Sequence, residues 1–213
     1  NNDGVIAGSL RIENAFQAVR WIDGVAEALP DAPVGKAATV RAFNENGTIV
    51  ASVSTGESGL VQTFGLWRGD DVVIIALPDE VTETEGALAF PQAVNGRDEV
   101  LFWAMESISD RNTWFFFTTD GDTTTVVDGR GDGISFAAID LNDAGVVVGY
   151  TIEDDESRAA LWEDGKFRYL DELIANGSGL TLELTSAINN AGMIAGSATD
   201  GDGVQHGYLL IPS

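Results

Sequence analysis

The chain has 213 residues, of which 34 are acidic and 11 are basic, so its formal net charge is −23. A surface this negative repels phosphate backbones and anionic lipids, which argues against nucleic acid as a partner. Hydrophobic residues make up 44%, enough for a packed core. No apolar run reaches the about 18 residues of a membrane-spanning helix, so membrane insertion is not expected. Cysteine is absent, which excludes disulfides and thiol chemistry.

A turn motif of Asn and Gly recurs along the chain. Its clearest copies are residues 142–145 and 189–192, and each precedes a short apolar run. Asn and Gly accept the positive φ that tight hairpin turns require. The five copies begin at positions 1, 44, 95, 142 and 189, in steps of 43, 51, 47 and 47 residues. A repeat of this length predicts stacked structural units.

The predicted elements are short strands rich in Val, Ile, Thr and aromatic residues, bounded by Gly, Asp and Asn. Unit one (1–43) predicts strands at 5–9, 15–21, 25–29 and 37–43, and unit two (44–94) predicts strands at 48–54, 62–67, 72–77 and 87–94, with an acidic loop at 78–86. Unit three (95–141) predicts strands at 99–105, 114–118, 123–127 and 134–141. Unit four (142–188) predicts strands at 146–152, 159–162, 167–170 and 182–188, with a helical turn in 170–175, and unit five (189–213) predicts strands at 193–198 and 206–211.

Antiparallel units of four strands with one longer connection are typical of propeller blades. The sequence therefore predicts an all-β, five-bladed β-propeller, with residues 1–213 as one domain of about 45-residue, four-stranded repeats. The first blade lacks its innermost strand and the last lacks its outermost strand, so both are incomplete. Three possibilities stay open. Residues outside the given ends complete the ring, a closed ring tolerates two three-stranded blades, or an open array pairs with another chain through its free edges.

Residues 187–210 and 140–167 resemble the HAF repeat of extracellular bacterial proteins, named for a His-Ala-Phe tripeptide. His206-Gly207-Tyr208 stands where that tripeptide would lie. The resemblance extends over nearly the whole chain and rests on turn and packing residues. It implies a propeller-like repeat protein that is secreted or displayed on a bacterial surface. It supplies no catalytic residue.

Two acidic turns are candidate metal sites. Asp120 with Asp122, and Asp200 with Asp202, form compact loops rich in oxygen atoms. Calcium typically takes about six to eight oxygen ligands from flexible loops. Calcium is therefore the candidate cofactor, while the favoured interpretation is that these are ordinary solvated turns, in which Asp favours the turn itself.

Trp103 and Trp114 depart from the repeat pattern in unit three and lie near Phe115-Phe116-Phe117. Aromatic faces stack on sugars and anchor protein interfaces, so these two residues are the candidate ligand-binding site. The competing interpretation is thicker packing between neighbouring blades.

No catalytic residue is predicted. His206 is the only histidine, and no Gly-x-Ser-x-Gly elbow is present. The sequence favours a non-catalytic extracellular module that binds a glycan or a surface protein through loops on a rigid propeller. One alternative is a structural subunit that self-associates through its incomplete terminal blades. The other is a carbohydrate-active enzyme that uses a pair of carboxylates.

Overall fold

The computed structural model describes residues 1–13, 15–54, 63–84, 87–108, 111–127, 136–153, 156–174 and 179–212. This part of the chain is all-β, as the sequence predicts. It holds eighteen strands, one short helix, α1 (Asp79–Thr82), and one 3₁₀ turn, Leu170–Glu172. The strands are β1 (Ile6–Ile12), β2 (Ala15–Ile22), β3 (Val25–Ala28), β4 (Lys36–Phe43), β5 (Thr48–Ser54), β6 (Phe64–Arg68), β7 (Asp71–Ile75), β8 (Leu88–Val94), β9 (Val100–Ile108), β10 (Arg111–Thr119), β11 (Thr124–Val127), β12 (Phe136–Leu141), β13 (Val147–Glu153), β14 (Glu156–Glu163), β15 (Lys166–Tyr169), β16 (Leu180–Ile188), β17 (Ile194–Asp200) and β18 (Gln205–Leu210).

The strands form five antiparallel sheets, each made of strands that are consecutive in the chain. Sheet one is β1-β2-β3, sheet two is β4-β5-β6-β7, sheet three is β8-β9-β10-β11, sheet four is β12-β13-β14-β15 and sheet five is β16-β17-β18. The sheets are one strand out of phase with the sequence repeats, because the last strand of each unit is the first strand of the next sheet. The first and last sheets therefore have three strands each, as the strand count predicts.

The sheets pack face to face in chain order. The first strands β4, β8, β12 and β16 lie in a row, each in contact with the next. Apolar side chains fill the layers between neighbouring sheets, because a single four-stranded sheet cannot bury both of its faces. Each layer takes residues from both sides: Ala18 with Trp67, Phe64 with Phe102, Phe116 with Phe136, and Leu161 with Ile194.

The repeated Asn is the centre of each turn between the first and second strands. Asn142 shows the pattern, since its backbone carbonyl accepts from the N–H of Gly145 and its side-chain Oδ1 accepts from the N–H groups of Ala144 and Val146, both at 3.0 Å. Gly145 has φ +81°, a left-handed conformation that favours glycine. The turn chemistry expected from the sequence is therefore present.

The same Asn residues also link neighbouring sheets. The side-chain Nδ2 of Asn44 donates to the carbonyl of Asn95 at 2.7 Å, that of Asn95 donates to Asn142 at 3.1 Å, and that of Asn142 donates to Asn189 at 3.3 Å. Asn1 begins the series with a bond of 3.2 Å to the carbonyl of Glu45. We call this row of bonds the asparagine ladder. It fixes the spacing of the sheets at one end of the stack.

Two other features were not expected. The first strands β4, β8, β12 and β16 carry β-bulges, where the register with the second strand shifts. A bulge bends the strand and increases its twist. The acidic loop predicted at 78–86 also contains α1, which Asp79 and Glu80 favour because carboxylates stabilise the positive end of a helix dipole.

Candidate functional site

The first predicted metal pair lies in the turn between β10 and β11. One carboxylate oxygen of Asp120 accepts from the N–H groups of Thr123 at 2.8 Å and Asp122 at 3.0 Å. These bonds lower the pKa of Asp120. The backbone carbonyl of Asp120 accepts from Arg68 at 3.0 Å. Asp120 thus stabilises its own turn, while the side chain of Asp122 is exposed.

The second predicted pair lies in the turn between β17 and β18. Asp200 Oδ1 accepts from the N–H groups of Asp202 and Val204, and its Oδ2 lies 2.8 Å from Nε2 of His206. The bond to His206, followed by the bond from Val204, lowers the pKa of Asp200. Both oxygens of Asp200 therefore have hydrogen-bond partners among residues 202–206.

Among the described residues, no group of three or more His, Cys, Asp or Glu side chains is arranged to hold a metal ion. The predicted pairs belong to separate sheets, three and five, and are not brought together. The calcium site at Asp120, Asp122, Asp200 and Asp202 stays a prediction.

The two predicted ligand-binding tryptophans are neighbours in sheet three. Trp103 lies in β9, half-buried, and stacks on Phe90 with ring centroids 5.3 Å apart. Trp114 lies in β10 with its backbone opposite Met105, and its side chain is outside the described part of the chain. The packing of Trp103 favours a structural contribution, and a glycan platform at these residues stays a prediction.

One half-buried carboxylate, that of Asp140, bears on the enzyme alternative. Burial raises the pKa of Asp140, although its two oxygens accept from the N–H groups of Leu141 and Ile188, each at 2.9 Å. A raised pKa in a carboxylate is a common mark of catalysis. Here both oxygens bind backbone, and the bond to Ile188 ties sheet four to sheet five, so the arrangement is that of a structural bridge.

The outer face of sheet one exposes large apolar residues. Ile6 is 63% exposed, and Leu10 and Ile12 are also exposed on the same face. Ile6 lies opposite Trp21 in the register, as Ile49 lies opposite Trp67 in sheet two. Ile49 and Trp67 are 2% and 0% exposed because sheet one covers them. The same pair of residue types is thus a buried interface in sheet two and an open surface in sheet one.

The outer face of sheet five is the matching open surface. Leu209 is 58% exposed, whereas Leu161, its equivalent in sheet four by register, is buried against sheet five. Asn189, at the end of the asparagine ladder, is exposed. No described residue accepts a hydrogen bond from its Nδ2. Sheets one and five therefore present the two unpaired halves of the contact that joins neighbouring sheets elsewhere.

A groove of about 750 Å³ opens between sheets four and five. Its walls are mainly apolar, and one wall carries Arg168 and Glu163, which form an ion pair. Residues of sheet five line the opposite wall, among them the apolar Ile194 and Leu210. Sequence reasoning missed this groove, because it depends on where β15 and β18 end relative to each other.

Ionisation of Tyr208 should make the stability of the folded state fall at alkaline pH. Its hydroxyl donates to the carbonyl of Leu184 at 2.8 Å, and burial raises its pKa from 10.0 to about 12. The folded state therefore holds this proton more tightly than the unfolded state. Stability should be fully present below pH 10.0 and fall as the pH rises toward about 12. Urea unfolding at a series of alkaline pH values tests this. The free energy of unfolding should fall less with rising pH in Tyr208→Phe than in the parent. An identical fall in both proteins would assign the effect to other groups.

Comparison with models of known protein families found no match, and comparison with curated protein sequences found none either. The resemblance to HAF repeats therefore rests on the motif residues alone. Among the described residues, no helix has both the length and the apolar character needed to cross a membrane.

Proposed function

We propose that this chain is a non-catalytic interaction module whose sheets are propeller-type blades in an open arc, and that its terminal sheets bind each other between copies, head to tail. The observation that carries this proposal is the exposed Ile6–Trp21 face of sheet one, since the equivalent Ile49–Trp67 face of sheet two is buried. Exposed apolar faces of this kind are typical of protein interaction surfaces. The resemblance to HAF repeats adds the proposal that the assembly forms outside a bacterial cell.

The two faces match because each repeats half of an existing interface. Leu161 of sheet four and Ile194 of sheet five belong to one apolar cluster. By repeat position their equivalents are Leu209 on the outer face of sheet five and Ile6 on the outer face of sheet one. A second copy would bring Leu209 against Ile6 in the same way. It would also offer the carbonyl of its Asn1 to the free Nδ2 of Asn189, extending the asparagine ladder.

An open arc is favoured over a ring closed within one chain. In a closed five-bladed ring, sheets one and five would cover each other. The exposed fractions of Ile6, 63%, and Leu209, 58%, do not fit such cover. A head-to-tail contact uses different surfaces on the two copies, so it continues into larger rings or filaments. Because each copy carries a formal charge of −23, added salt should screen repulsion and promote assembly.

The test uses two single variants with light scattering over a range of protein and salt concentrations. The parent should grow in mass with concentration, whereas Ile6→Asp and Leu209→Asp should each stay monomeric, because a carboxylate would be buried in the contact. Each variant keeps one intact face, so an equimolar mixture should stop at dimers. Val34→Asp, an exposed loop substitution, should assemble like the parent. A monomeric parent at all concentrations, or assembly of either face variant like the parent, would contradict the proposal.

A further inference from the structure

The fourth strand packs against the preceding sheet in sheets two, three and four. In sheets two and three, its side chains also contact the segment that follows the last strand of the preceding sheet. Val72 of β7 belongs to one cluster with Leu29, which follows β3. Val126 of β11 packs in a cluster with Val81, which follows β7. In sheet four, Phe167 of β15 belongs to one cluster with Phe116, which lies in β10 of sheet three.

Sheet five has no fourth strand among the described residues. The groove between sheets four and five lies where this strand would pack. Leu170 and Leu173, which follow β15 as Leu29 follows β3, line it. Leu173 is 46% exposed. The backbone edge of β18 that faces away from β17 pairs with no described strand.

The groove also contains an unsatisfied polar group. Arg168 lies in β15 on the wall toward sheet five, opposite Leu161. Its terminal nitrogen binds Glu163, but its Nε is buried and has no hydrogen-bond partner in the described part of the chain. A buried donor without an acceptor is costly, so a turn of the Arg168 side chain that brings this nitrogen to an oxygen atom of an occupant is favoured.

We propose that the edge of β18 and this groove bind an extended β-strand of another protein, with aromatic or branched apolar residues at alternate positions. The backbone of that strand would pair with Tyr208–Ile211, which are equivalent to the residues of β14 that pair with β15. Its alternate side chains would enter the groove as Phe167 and Tyr169 pack against sheet three. Strand addition of this kind takes affinity from backbone hydrogen bonds and specificity from the side-chain pockets. This site is separate from the outer faces of sheets one and five.

The probe is a synthetic peptide with the sequence of residues 163–171, which includes β15, titrated into the full chain by calorimetry at moderate salt. Its control peptide carries serine in place of Phe167 and Tyr169, so the two peptides have the same charge. We expect the control peptide to bind at least about tenfold more weakly. Hydrogen exchange at the amides of β18 should slow when the parent peptide is bound.

Two matched variants of the chain complete the test. Leu173→Asp places a charge in the groove at an exposed position and should weaken binding about tenfold or more. Val204→Asp adds the same charge at the turn before β18 and should leave binding unchanged. Equal binding of both peptides, unchanged exchange at β18, or equal affinity of Leu173→Asp and the parent would each overturn the proposal. The head-to-tail contact is tested by Ile6→Asp and Leu209→Asp, so either proposal can fail without the other.

Discussion

Replacement of Trp67 by alanine should lower the free energy of unfolding by about 3–5 kcal/mol, the usual cost of removing a buried tryptophan. Trp67 is fully buried between sheets one and two, and its Nε1 donates to the carbonyl of Pro30 at 3.0 Å. The substitution removes the side chain, leaves a cavity and deprives that carbonyl of its donor. Urea unfolding followed by circular dichroism gives the change in free energy.

Trp21 is the matched control for this prediction. It occupies the same repeat position in sheet one and covers Gly8, where a Cβ would lie 3.2 Å from its ring. It is half-buried, because no described sheet covers it. Trp21→Ala should therefore cost roughly 1–2 kcal/mol, in proportion to the smaller apolar area that it buries. If both variants lost the same free energy of unfolding under monomeric conditions, the outer face of sheet one would be covered within a single chain. That result would contradict the proposed open arc.

The second large effect should come from the asparagine ladder. Asn142→Ala should lower the free energy of unfolding by about 2–3 kcal/mol, because it leaves the buried N–H of Val146 without its acceptor. It also removes the 3.3 Å bond from the Asn142 side chain to the carbonyl of Asn189. Asn142 is buried, so water cannot replace these bonds. Chemical unfolding again measures the loss.

Asn189 provides the control within the same chain. It makes the same turn bonds, with its Oδ1 accepting from Ala191 at 3.0 Å and from Met193 at 2.9 Å. It is exposed, and its Nδ2 has no partner among the described residues. Under monomeric conditions, Asn189→Ala should cost about 1 kcal/mol or less, since water satisfies the freed groups. A loss at Asn189 as large as that at Asn142 would show that the link between sheets contributes nothing.

The strands and their grouping were predictable because their causes are local. Each Asn and Gly turn fixes a hairpin, and the alternation of apolar residues fixes which strands can pack. The strand count of eighteen and the three-stranded terminal sheets follow from these signals alone. The resemblance to a known repeat added an expected architecture but no further strand.

Contacts between sheets were not predictable, because they join residues about one repeat apart. The sequence identifies Asn142 as a turn residue, but not as a donor to Asn189. Gly149 is another example, since its φ is not in the left-handed region. A Cβ at Gly149 would overlap the carbonyl oxygen of Ala137, so glycine is required by the close approach of the bulged strand β12. Such a requirement appears only when both strands are placed.

The candidate sites were also predictable from the sequence only in part. The Asp loops stand out in the sequence, but the sequence does not tell that Asp200 already binds two backbone N–H groups and His206. The exposed outer faces lie where no described sheet covers sheets one and five, and the groove lies where sheet five has no fourth strand among the described residues. The incomplete first and last units were the available signal, and they led to the expectation of self-association. Which side chains line those surfaces required the register.

In the proposed assembly, the outer faces of sheets one and five bind each other between copies. Because the chain contains no cysteine, a double variant with Ile6→Cys and Leu209→Cys has only these two thiols. The measurement is the mass of its products after treatment with a short bismaleimide. The open arc predicts a series of oligomers in which position 6 of one copy is linked to position 209 of the next. A product of single-chain mass with positions 6 and 209 linked would contradict it, because the chain would then close on itself.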